Sequence, residues 1–282
     1  MPLSIFSIPK PFVGHIAVIQ QNAIESWKRL SVDVTLFGDE LGLEGAASRL
    51  GVRHERDIKR NAAGTPLVSD AFDRARQLAR HAHVVFVNAD IVLTSDLTRA
   101  VAALARTSFS SWVMVGQRHD LDVLSPIDMR EAWEDRLFQD VEQRGRLHGK
   151  SGIDFFAFPK TMPVTLPPLA VGRVGWDSWL IYAVRRAGIP LVDATGAVRI
   201  IHQNHPPAHD PVGVEAMENR ASAGGYYNMG SLRDADWRLE KRADGTIGVV
   251  RRWMGRVWFS PPFRAAFAMK RELSRRVTGS RI

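Results

Sequence analysis

Val84-Val85-Phe86-Val87-Asn88-Ala89-Asp90-Ile91-Val92-Leu93 is an apolar run broken at one place by an amide and a carboxylate. Its first four residues are too few for a buried helix and rich in β-branched valine, so they read as a strand covered on both faces. Asp90 is the first ionisable group beyond that strand, with three more apolar residues behind it. An ionised carboxylate in apolar surroundings needs a partner. A divalent cation is one, since magnesium or manganese takes a few protein oxygens and leaves its other positions to phosphate and water. An Asp that caps the next turn or pairs with an arginine meets the same need.

Upstream, residues 3–8 form a second short apolar run, stopped by Pro9-Lys10-Pro11. Residues 16–30 carry Ile16, Ile19, Ala23, Trp27 and Leu30 at helical spacing. A strand over 32–37 is closed by Gly38-Asp39-Glu40, and a further helix leads to a third strand at 52–54. Gly64-Thr65-Pro66 opens the next helix, with Thr65 suited to the N-cap, Pro66 to the first turn and Asp70 on its first exposed face. Buried strands alternating with helices predict an α/β fold, a mainly parallel sheet flanked by helices. Ligands in such sheets bind at the carboxyl ends of the strands. Pro9-Lys10, Asp39-Glu40 and Asn88-Ala89-Asp90 are therefore expected in one cleft.

The second half adds a strand at 111–115, a charged helix around 129–144 and a strand at 153–158. After a Pro-rich loop, Gly172-Arg173-Val174-Gly175 precedes an aromatic helix that begins near Trp176 and ends at Gly188-Ile189-Pro190. An apolar segment at 198–201 then runs into His202-Gln203-Asn204-His205 and Pro206-Pro207. A histidine at a strand end suits a metal, because neutral imidazole is a good ligand among oxygen donors; a hydrogen-bonded surface histidine is the plainer reading. Arg118 and Asp120 follow the strand at 111–115 and are candidates for contact with a sugar ring, or partners in a salt-bridged loop. Arg173 can grip a diphosphate in bidentate fashion or pair with one of these carboxylates. Asp39 is placed to accept hydrogen bonds from a ribose or base.

The chain has 282 residues and is 45% hydrophobic, which predicts one domain with an appendage, divided as 1–245 and 246–282. It has no cysteine, so disulfides, thiolate zinc sites and thiol nucleophiles are excluded. The N-terminus has no basic start or long apolar core, and no stretch is long and apolar enough to cross a bilayer, so a cytoplasmic protein is expected. No G-x-G-x-x-G follows the first strand and no G-x-x-x-x-G-K-[ST] occurs, which argues against dinucleotide cofactors and P-loop chemistry.

Taken in order, Leu36-Phe37-Gly38-Asp39-Glu40, Asn61 with Gly64-Thr65-Pro66-Leu67, Val87-Asn88-Ala89-Asp90-Ile91 and Trp176-Asp177-Ser178-Trp179-Leu180 resemble segments of GT-A type glycosyltransferases. In that family a Gly-led helix lines the nucleotide and the following strand ends in a D-x-D motif. Asn88 stands where the first Asp of that motif is usual, and Asp90 matches the second. The resemblance implies transfer of a sugar from a nucleotide-diphosphate donor to the hydroxyl of a glycan or lipid-linked acceptor, in glycan or polysaccharide assembly, with Mn2+ or Mg2+. It also implies Asp90 with His202 or His205 as metal ligands, and Asp177 as the general base, beside Trp176 at the nucleotide site. Asp154 is the competing base or an acceptor ligand, and Asp177 is equally an acid stabilised at a helix N-terminus. Two rival functions fit the same elements: a nucleotide-sugar or carbohydrate-binding protein without catalysis, and a nucleotidyltransferase.

The formal charge of +8 is confined to the appendage, where Arg251, Arg252, Arg256, Arg264, Lys270, Arg271, Arg275, Arg276 and Arg281 face Glu272 alone; residues 1–245 balance to zero. A neutral body argues against nucleic acid as a partner. Phe263, Ala266, Phe267, Leu273 and Val277 fall close to one helical face. Such a helix either lies on an anionic membrane surface, making the protein peripheral at the inner face, or packs on the domain.

Overall fold

The computed structural model describes residues 2–150, 152–173, 175–206 and 213–279, with side chains from 275 onward not described. Val174, Pro207, Arg275, Arg276, Val277 and Arg281 of the sequence reading lie outside the described residues or side chains. The strands are β1 (Ser4–Ser7), β2 (Asp33–Phe37), β3 (Arg53–Glu55), β4 (His83–Val87), β5 (Ile91–Val92), β6 (Val113–Val115), β7 (Arg118–Leu121), β8 (Arg146–Leu147), β9 (Phe155–Pro159), β10 (Leu191–Asp193), β11 (Ile200–Gln203), β12 (Trp237–Lys241) and β13 (Ile247–Arg251). The helices are α1 (Gly14–Lys28), α2 (Leu43–Leu50), α3 (Val68–Leu78), α4 (Ser95–Ala105), α5 (Trp133–Arg144), α6 (Trp176–Arg186), α7 (Val214–Ser222), α8 (Met254–Trp258) and α9 (Pro261–Gly279).

Nine strands form one sheet in the order β3-β2-β1-β4-β9-β6-β10-β12-β13. β3, β2, β1 and β4 are parallel, as the alternation of strands and helices predicts. β9 runs antiparallel to both β4 and β6, so the sheet is mixed and mainly parallel. Nothing in its Phe155-Phe156-Ala157-Phe158 run encodes direction, because a strand buried on both faces has the same pattern either way. The segment from residue 246 supplies β13, which pairs with β12 in this sheet, before the chain enters α8 and α9.

Helices cover both faces. On one, α1 buries Ala23, Ile24 and Trp27, and the Trp27 indole donates to the Ile91 carbonyl at 2.9 Å. Full burial of such a side chain contributes about 2–3 kcal/mol. On the other, α3 and α6 close over an aromatic cluster in which Phe72 stacks on Phe158 at 5.5 Å and Trp176 meets Phe86 edge-on at 4.9 Å. Because α1 and α3 lie on opposite faces, the strand order turns between β1 and β4, where open α/β sheets leave a crevice.

A smaller sheet, β5-β11-β7-β8, lies beyond β4. Its register sets the site: β11 runs antiparallel to β5 with His202 opposite Ile91, and parallel to β7 with His202 opposite Asp120. One reading needs correction here. α3 starts at Val68 with Leu67 as its N-cap, not at Pro66 with Thr65. Pro66 and Leu67 are instead held extended, bridged to Arg60 and Ala170.

Candidate active site

A cleft of about 590 Å³ opens at the carboxyl ends of β1, β2 and β4. Pro9 and Lys10 line it after β1, Glu40 after β2, and Asn88, Ala89 and Asp90 after β4. Gly64, Thr65 and Arg173 form another wall. Arg118, Asp154, Trp176, His202 and His205 complete it. Of the residues singled out in the sequence, Asp39, Asn61, Asp70, Asp120 and Asp177 do not line the cleft.

Among the described residues, Asp90, His202 and His205 bring ligand atoms to within 4.8 Å of one another. Asp90 is 8% exposed. Its Oδ2 lies 3.1 Å from His205 Nε2 and 3.4 Å from the Lys10 ammonium, whereas Oδ1 is buried without a hydrogen-bond partner. Burial pushes the Asp90 carboxyl up, but the His205 hydrogen bond and the charges of Lys10 and the two histidines outweigh it and hold it well below the usual range. The Asp90 contact raises His205, while burial lowers His202. A partnerless buried oxygen beside two imidazoles fits a divalent cation by the chemistry of its donors.

Lys10 is held at its backbone. The buried Gln20 accepts from the Lys10 N–H at 2.7 Å and donates to the Lys10 carbonyl at 2.9 Å. This explains an amide on the buried side of α1.

Asp154 explains Asn88. One Asp154 oxygen accepts the Asn88 amide at 2.7 Å, the other accepts Arg118 at 2.9 Å, and the Asn88 N–H donates to the Asp154 carbonyl at 2.9 Å. An Asp at 88 would set two carboxylates against each other in a site where Asp154 is only 6% exposed. Both oxygens of Asp154 are thus engaged, which leaves it less suited to the role of base. Arg118 also donates to Asp120 at 2.8 Å, and His148 contacts the other Asp120 oxygen at 2.7 Å. Burial acts against the Arg118 charge, yet Asp154 and Asp120 raise its pKa further.

Asp177 sits in the first turn of α6, half-buried. Burial, reinforced by the charge of Asp154, pushes its carboxyl up to about 6 against the pull of the Ser178 N–H. Asp39 is turned outward onto Arg60, which also binds Glu40 at 3.0 Å and the Gly64 carbonyl at 2.7 Å. Glu40 rather than Asp39 faces the cleft. Asn61 builds the turn around Gly64 by accepting from the N–H groups of Ala63 and Thr65, and Asp70 accepts from the Lys59 N–H.

Glu215 on α7 has no counterpart in the sequence reading. It accepts from Asn61 at 2.9 Å, Thr65 at 2.5 Å and Arg173 at 2.8 Å, and these bonds, that from Thr65 foremost, hold it down at about 2. Arg173, read as a diphosphate ligand or a partner of the carboxylates near Arg118, pairs instead with Glu215.

No protein-family profile matches the sequence, and comparison with curated proteins finds no match. Solved structures do match. The chain is similar to glucosyl-3-phosphoglycerate synthase from Mycobacterium tuberculosis in complex with Mn2+, uridine-diphosphate and glucosyl-3-phosphoglycerate, with TM-score 0.48, 15% identity, and 91% of each chain covered. The same enzyme with Mg2+ and uridine-diphosphate matches with TM-score 0.47 and 15% identity over 89% of this chain and 87% of that one. TarS residues 1–349 from S. aureus, in complex with UDP-GlcNAc, matches with TM-score 0.46 and 11% identity over 73% of this chain and 60% of that one.

Proposed function

We propose that this chain is a metal-dependent glycosyltransferase that moves a sugar from a nucleotide-diphosphate donor to the hydroxyl of a glycan or lipid-linked acceptor. The observation that carries this reading is the buried, partnerless Oδ1 of Asp90, grouped with His202 and His205 in a cleft that also holds Lys10. Asp90, His202 and His205 would hold Mn2+ or Mg2+, which when bound offsets negative charge on the diphosphate. Lys10 and Arg173 add positive charge on either side of the same space. Arg118, kept rigid by Asp120 and Asp154, orients the sugar through its remaining N–H groups. Asp177 takes the proton of the acceptor hydroxyl, and its raised pKa places it within reach of neutral operation.

One observation favours a second reading. Asp177 does not line the cleft, and a protein that binds nucleotide sugars without turning them over has no need of a base there. The two readings separate in one assay: a panel of nucleotide-diphosphate sugars with Mn2+ and oligosaccharide or polyprenyl-linked acceptors, followed by mass spectrometry. Transfer of one donor's sugar, abolished in Asp90→Ala, supports the enzyme. Calorimetric binding with no donor consumed supports the binding protein, and turnover undiminished in Asp90→Ala and in excess chelator rules out the metal role.

A further inference from the structure

A second cavity, of about 380 Å³, lies between α6 and the C-terminal helices. Tyr182, Tyr227 and Phe259 wall it, and Arg185, Arg186, Arg256 and Arg264 bring four guanidiniums to it. Arg264 is 5% exposed, a rare state for a charged side chain. It donates to the carbonyls of Tyr227 and Met229, and its guanidinium carbon lies 4.5 Å from the Tyr182 ring and 5.0 Å from Phe259. The Nε atoms of Arg264 and Arg185 are nonetheless buried without hydrogen-bond partners. Two acids lie near: Asp236 binds Arg185 at 2.7 Å, and Asp234 accepts the Ser231 N–H at 2.7 Å from within a buried turn. Four bases against two acids leave an excess of positive charge. Arg186 has the neutral Tyr182 hydroxyl as its partner, and Arg256 is exposed at the rim.

The surface beside this cavity is apolar. At 3.6 residues per turn, α9 sets Arg264, Phe267 and Arg271 toward the body and Ala266, Met269 and Leu273 on the opposite side, with Phe263 on the flank between them. Phe263 is 44% exposed, Met269 64% and Leu273 56%, and Trp253, just before α8, is 70% exposed. No helix among the described residues is long and apolar enough to cross a membrane. A basic pocket flanked by exposed aromatic and aliphatic side chains is the arrangement that a lipid boundary satisfies, the charge meeting headgroups and the hydrocarbon meeting acyl chains.

We propose that the Arg186–Arg256 cavity seats the phosphate of an anionic phospholipid, with the outer face of α9 and Trp253 lying in the membrane boundary. A free phosphate ester would use the same guanidiniums but leave the apolar face without a function.

The test is co-sedimentation of the full chain with phosphatidylcholine vesicles, with and without phosphatidylglycerol, for wild type, Arg186→Glu/Arg256→Glu and Trp253→Ser/Phe263→Ser. The altered side chains are exposed, so the thermal melt should be unchanged, and it checks folding. Binding is expected only with phosphatidylglycerol, weakened at least about tenfold in each double variant. Absence of vesicle binding, binding that ignores phosphatidylglycerol, or binding undiminished in the arginine variant overturns the proposal. Inorganic phosphate is the control arm: thermal stabilisation by phosphate that depends on the two arginines, without vesicle binding, would assign the pocket to a soluble anion and overturn the lipid.

Discussion

Gln203 donates twice to the carbonyl of Asp90, from its backbone N–H at 3.1 Å and from its side-chain amide at 3.2 Å. The same amide reaches the Ile19 carbonyl at 2.7 Å, and its oxygen accepts Asn22 at 2.9 Å. β11 and α1 thus fix the main chain of Asp90 from beneath, while its carboxylate faces the cleft with one oxygen unused. Gln203→Leu keeps the volume but removes three buried side-chain hydrogen bonds, one to the Asp90 carbonyl, one to the Ile19 carbonyl and one from the Asn22 amide. It should cost about 2–4 kcal/mol in urea unfolding. A loss under about 0.5 kcal/mol would show that these bonds do not hold the site.

Asn88→Asp places a carboxylate against Asp154, and one of the two must keep a proton or move away. The single variant should lower stability by about 1–3 kcal/mol at neutral pH, and Asn88→Asp/Asp154→Asn, which restores one amide and one acid, should recover much of that. Thermal melts of Asn88→Asp, Asp154→Asn and the double variant check this. Additive losses would mean that the two side chains do not interact.

Asp177 makes opposite predictions for activity and stability. Its folded pKa, raised to about 6 from 3.8, means that the folded state binds more protons than the unfolded one between those values. Stability contributed by the protonated form is complete below about 4 and is lost as pH rises through about 6. Asp177→Asn should therefore melt no lower than wild type at pH 7.5, with a gain of roughly 1 kcal/mol, while sugar transfer falls at least about a hundredfold. The wild-type rate should drop on the acid side near pH 6. Full activity in the Asn variant would remove Asp177 from the chemistry.

Glu215 holds Arg173 and Thr65 at the cleft wall. In Glu215→Ala the donor KM should rise roughly tenfold while kcat changes less than about twofold, the pattern of a lost positioning contact. A fall in kcat with KM unchanged would instead place Glu215 in the reaction itself.

How far the sequence reaches follows from which signals are local. The parallel strands β1 to β4 are legible because apolar runs end sharply at Pro9, Gly38 and Asn88, and the same strand ends locate Lys10 and Asp90. His202 and His205 stand out as histidines just past an apolar segment, yet their meeting with Asp90 depends on β11 pairing with β5, a register that periodicity does not encode. Asn88 looks like a departure until Asp154 is seen beside it, just before the antiparallel strand β9. Glu215 reaches Thr65 across 150 residues of chain and leaves no mark in any local pattern. In the tail, the helical face of Phe263, Ala266, Phe267, Leu273 and Val277 does not say whether it meets a membrane or the domain; Phe263, Ala266 and Leu273 are exposed in the structure, and the buried residue is Arg264, which rings and carbonyls accommodate.

Asp90, His202 and His205 are proposed to hold a divalent cation. Isothermal titration of Mn2+ into wild type and Asp90→Ala, with a nucleoside diphosphate present, tests it without any assumption about sugar or acceptor. Saturable binding at a single site is expected in wild type, with affinity at least roughly tenfold weaker in the variant. Equal affinity in the two proteins, or no Mn2+ binding in either, would contradict it.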